Sequence, residues 1–134
     1  MSSAPASTRV TKVTTIPRSE MHLRNQVPGA LKSNYVGTSN GLNTYTQPKV
    51  RILSKEQLSK ATERLEKLMN SKGWKRITHP NLQGLGFSNG RHVVSDIGPG
   101  NVGKDLLGRP RLVDFSIETV PEFRLAMQKQ GGKI

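Results

Sequence analysis

Only one stretch of this chain sustains a regular apolar period, and it limits what the rest can become. Residues 54–70 place Leu58, Ala61, Leu65, Leu68 and Met69 on one face at helical spacing. Ser54 followed by Gln57 forms a capping box, in which each side chain satisfies a backbone N–H left unpaired by the first turn. Glu56 with Lys60, and Glu63 with Lys67, are favourable pairs one turn apart. Asn70 and Gly73 end the element. Its polar face carries both signs, so it reads as solvated surface and not as a uniformly basic recognition helix. Elsewhere the apolar runs are short and bounded by Gly or Pro. One amphipathic helix beside short β-branched runs predicts a small α+β domain with one or more β-hairpins.

The segment His92 to Glu118 reads as strand, turn, strand. His92-Val93-Val94 is a short strand, and the glycines and proline between Ile97 and Gly100 stop it. Leu107-Gly108-Arg109-Pro110 supplies a turn before a second apolar run, Arg111-Leu112-Val113. Two carboxylates and one amide fall at the hinge points: Asp96, Asn101 and Asp114. Asp and Asn beside Gly and Pro are also ordinary turn formers, because their side chains bond the local backbone.

This spacing resembles the catalytic core of the protein-kinase-like superfamily, which includes small-molecule phosphotransferases. That pattern has an Asp, an Asn five residues on, a short hairpin, and an Asp-Phe thirteen residues after the Asn; here it falls on Asp96, Asn101 and Asp114-Phe115. The resemblance implies Asp96 as the base that orients an acceptor hydroxyl. It implies Asn101 and Asp114 as ligands of magnesium held against nucleotide phosphates. It is confined to residues 92–118. Val94-Ser95 precedes Asp96 where the family has a His or Gly close by, Gly98 stands where protein kinases carry a Lys, and Ser116 follows Asp-Phe in place of Gly. A lysine pairing with the phosphates and a glycine-rich lid are not identifiable.

A chain of 134 residues bounds the fold at one domain, and it is short for both lobes of a complete kinase-like enzyme. The apolar fraction is 33%, with one Trp, two Tyr and three Phe, which is thin for a core spanning the whole length. The expectation is therefore a folded lobe over residues 51–134 behind a long extended basic arm over residues 1–50, ordered only with a partner. The arm carries Arg9, Lys12, Arg18, Arg24, Lys32 and Lys49 against the single acid Glu20. Within it, Asn40-Gly41 is a common two-residue hairpin pair.

The formal charge of +12 argues about partners, not about fold. Arms of this kind neutralise phosphates without reading sequence. A second basic cluster, Lys72, Trp74, Lys75 and Arg76, has two readings: Trp74 anchors the helix in the core, or it offers a stacking surface for nucleic acid. His79 and His92, with no cysteine and no clustered carboxylate, make a poor zinc set. Pro121 to Met127 reads as a short C-terminal helix with Pro121 in its first turn.

No apolar run approaches a membrane span, and the N-terminus lacks the apolar core of a secretory signal. An intracellular or virion-associated setting is expected. Two function classes follow. One is a basic binding or assembly protein whose kinase-like lobe is inactive, attached to a virion, a ribosome-like particle or another macromolecular assembly, with no cofactor. The other is a minimal phosphotransferase requiring magnesium and ATP. Composition favours the first.

Overall fold

The computed structural model describes residues 9–82 and 84–131. Helix α2 (Lys55–Ser71) begins where the capping box places it. The Gln57 N–H donates to Ser54 Oγ at 3.4 Å, and the Ser54 N–H donates to Gln57 Oε1 at 3.3 Å. Ala61, Leu65 and Met69 are buried, while Leu68 is left partly in solvent. Ser54→Ala removes one of those partners and is expected to cost about 1 kcal/mol, read as a lower urea midpoint at unchanged slope.

Around this helix the chain forms ten strands and two more helices among the described residues. Strand β1 (Arg9–Thr14) is followed by α1 (Arg18–Asn25), β2 (Asn34–Ser39), β3 (Leu42–Pro48) and β4 (Arg51–Ile52). After α2 come β5 (Lys75–Ile77), β6 (Leu85–Ser88), β7 (His92–Ile97), β8 (Val102–Lys104), β9 (Pro110–Leu112), β10 (Ser116–Thr119) and α3 (Val120–Gly131). They make three antiparallel sheets, ordered β1-β3-β2, β10-β7-β6-β5 and β4-β8-β9. The protein is α+β. No described helix is long and apolar enough to cross a membrane.

The expected arm divides in two. Residues 1–8 lie outside the described residues. From Arg9 the chain is folded: β2 and β3 turn at Asn40-Gly41, whose φ values of 53° and 76° suit a type I′ hairpin. Val27 and Ala30, which follow α1, share one buried cluster with Leu65, Met69, Phe87 and Phe115. The boundary expected at residue 50 is thus crossed by the core. The apolar residues responsible are few and widely spaced (Met21, Val27, Ala30, Leu31), so no periodic run announces them. Low apolar content is met by sparse anchors from every part of the chain.

Trp74 lies in the same cluster at 7% exposure. That settles its two readings: the ring packs under α2 and offers no stacking face. The C-terminal helix starts earlier than Pro121 and carries a capping box the sequence reading passed over. The Thr119 N–H donates to Glu122 Oε1 at 2.9 Å, and the Glu122 N–H donates to Thr119 Oγ1 at 3.3 Å. These bonds to Thr119 hold the Glu122 carboxyl below its ordinary range.

Candidate functional site

Strand pairing brings Asp96, Asn101 and Asp114 to one corner. β7 and β10 run antiparallel with Ser95 opposite Ser116, so the end of β7 meets the start of β10. Asp96 stands at this end with φ of 63°, a left-handed conformation that Asp tolerates better than most residues. The chain then turns, with the Asn101 N–H donating to the Gly98 carbonyl at 3.0 Å. Asn101 Nδ2 donates to the Asp96 carbonyl at 2.8 Å, and the Val113 N–H donates to the Asn101 carbonyl at 2.9 Å. Asn101 thereby ties the end of β7 to the end of β9.

Each group also has a local structural use. Asp114 Oδ1 accepts the Phe115 N–H at 2.9 Å. Arg24 reaches the same place from α1. Its Nη1 donates to the Phe115 carbonyl at 2.6 Å and lies 3.9 Å from Asp114 Oδ1, and its Nε donates to Glu20 Oε2 at 2.9 Å. The guanidinium also sits 5.2 Å from the centre of the Phe115 ring. Arg24, expected on the phosphate-binding arm, is instead a half-buried strut between α1 and the corner. Asp96 and Asp114 themselves are exposed. Two carboxylates and an amide oxygen suit a hard cation such as magnesium in donor chemistry. No cluster of three or more His, Cys, Asp or Glu suited to a metal occurs among the described residues.

The other expected cations separate. Arg9 donates to the Thr46 carbonyl at 3.1 Å on the β-sheet edge. Lys12 is half-buried on β1, and the Arg18 guanidinium stacks 4.0 Å over the Tyr35 ring. Arg76 is 3.6 Å from Glu66, and Lys72 and Lys75 are exposed. Lys32 and Lys49 come together on one cleft of about 400 Å³, which Arg109 and Arg111 also line. A neighbouring cleft of about 450 Å³ adds Arg51 and Lys104 beside Lys49.

Sequence reasoning passed over three of these cations, Lys104, Arg109 and Arg111. Their signal was Lys104 to Arg111, KDLLGRPR, three cations and two leucines around one turn. Asp105 organises that turn. It accepts the Leu107 and Arg109 N–H groups at 2.9 Å each, Arg109 Nε at 3.0 Å and Arg111 Nε at 3.1 Å. Burial alone would raise its pKa; these four donors outweigh that and hold it at about 2. Arg109 and Arg111 are thus paired, whereas Lys32, Lys49, Arg51 and Lys104 form no ion pair within the described residues.

No family model, no curated protein and no solved structure matches the chain.

Proposed function

We propose that the protein works by binding: a kinase-like lobe, without phosphoryl-transfer chemistry, that attaches a basic face to a larger nucleic-acid-containing or other macromolecular assembly, such as a virion or ribosome-like particle. The observation that carries this reading is the gathering of Lys32, Lys49, Arg51 and Lys104 around two adjoining clefts whose one carboxylate, Asp105, is already engaged by Arg109 and Arg111. Such a face attracts an anionic partner, and its charge is not spent internally. Arg24 supports the non-catalytic half. A guanidinium beside Asp114 supplies part of the positive charge that a metal would otherwise bring there.

A second reading, an active magnesium- and ATP-dependent phosphotransferase, is favoured by the convergence of Asp96, Asn101 and Asp114 at the paired ends of β7 and β10. In it Asp96 is the base, and Asn101 and Asp114 hold the metal. Thermal unfolding separates the two. A ligand that binds only the native state raises the midpoint by mass action. The binding reading expects no shift with saturating magnesium and ATP, in the parent or in Asp114→Asn. A rise of several degrees in the parent that Asp114→Asn removes would overturn it and make Asp114 a metal ligand. Deleting residues 1–50 is no test of partner binding, because Val27 and Ala30 belong to the core.

A further inference from the structure

The first cleft differs from a simple phosphate-binding face because apolar groups contribute much of its lining. Ala30, Leu31, Pro48, Leu106 and Leu107 line it, and Lys32 and Lys49 stand with them. Its volume of about 400 Å³ falls in the range of ligand sites. Leu106 and Leu107, at the turn between β8 and β9, are 75% and 76% exposed. Leu106 also lines the neighbouring cleft with Lys49, Arg51 and Lys104, so the two clefts join around it.

These leucines are held out by structure. Asp105 ties down the N–H of Leu107 and the backbone and side chain of Arg109, and Arg64 donates to the Gly108 carbonyl at 3.2 Å. A turn fixed at both ends keeps two large apolar side chains beside unpaired cations. We propose that this joined groove docks an acidic peptide segment carrying apolar side chains, a proposal that rests on the protein working by binding. Carboxylates of the segment meet Lys32, Lys49, Arg51 and Lys104, while its apolar side chains pack on Leu106, Leu107 and the cleft lining. A nucleic-acid backbone would satisfy the cations and leave the leucines in water. No ring lines either cleft on which a base could stack.

The test is fluorescence anisotropy on the full chain. The probes are a labelled synthetic peptide alternating Glu or Asp with Leu, the same peptide with Ser in place of Leu, and a single-stranded RNA of equal charge. Leu106→Asp and the pair K32E/K49E alter exposed side chains outside the core, so the fold is retained in both. The Leu peptide is expected to bind the parent, with affinity at least about tenfold weaker in each variant and for the Ser peptide, since tenfold corresponds to about 1.4 kcal/mol. No binding of the Leu peptide overturns the proposal, as does equal binding of the Leu and Ser peptides. RNA binding tighter than the Leu peptide and indifferent to Leu106→Asp overturns it as well, and assigns the face to phosphates. The underlying reading fails separately, through the nucleotide-dependent midpoint at Asp114.

Discussion

Phe87→Ala is expected to destabilise the protein by about 3–5 kcal/mol. Phe87 is 1% exposed on β6, in the central sheet and opposite Val94 of β7. It packs in the cluster that joins α2, through Leu65 and Met69, to Val94, Ile97 and Phe115. Truncation loses the transfer free energy of the ring and leaves a cavity walled by side chains from several elements, which cannot all collapse inward together. The whole chain has three phenylalanines, two tyrosines and one tryptophan, so there is little reserve to offset the loss. Urea unfolding followed by far-UV circular dichroism measures it. A loss under about 1.5 kcal/mol would show that the cluster is not one continuous core.

Asp105→Ala has a smaller expected effect, and it depends on pH. The carboxylate is 10% exposed and accepts four donors, two of them guanidinium groups. Its folded pKa lies below the ordinary value of 3.8, at about 2. A depressed carboxylate stabilises the fold above its unfolded pKa and loses that contribution as pH falls through the folded one. The stabilisation is therefore full above about pH 4 and fades toward about pH 2, with a size of about 2 kcal/mol from the shift alone. At neutral pH, Asp105→Ala is expected to lower stability by about 2–3 kcal/mol, since it also strands the half-buried Arg111 Nε donor. Asp105→Asn should lose less. The measurement is the urea midpoint of parent and variants at about pH 7 and about pH 3; the difference between parent and Asp105→Asn should narrow at the lower pH. A difference that stays constant would place the stability of the β8–β9 turn elsewhere.

Much of the fold was legible wherever one local rule governed a segment. Ser54 and Gln57 announced the start of α2, and Leu58, Ala61, Leu65 and Met69 its inward face, because a capping box and a helical period act within a few residues. Asn40-Gly41 announced the β2–β3 turn for the same reason. The corner of Asp96, Asn101 and Asp114 could be suspected from spacing and seen as three points on a strand-turn-strand. Their approach depends on the register of β7 against β10, a pairing between segments about twenty residues apart that no local signal encodes.

The sequence by itself determined the class of the protein: α+β, one long amphipathic helix, many short strands, and a net charge of +12. Tertiary structure alone decided what the charges and the sparse apolar residues do. It drew Val27 and Ala30 into the core and so folded a segment whose composition reads as a solvated arm. It buried Trp74 and turned Arg24 inward to the Phe115 carbonyl, while Lys32 and Lys49 were left facing the β8–β9 turn. The physical reason is that burial and ion pairing are settled by which distant segments come into contact, and a basic residue looks the same in sequence whether its partner is a neighbouring carboxylate or another molecule.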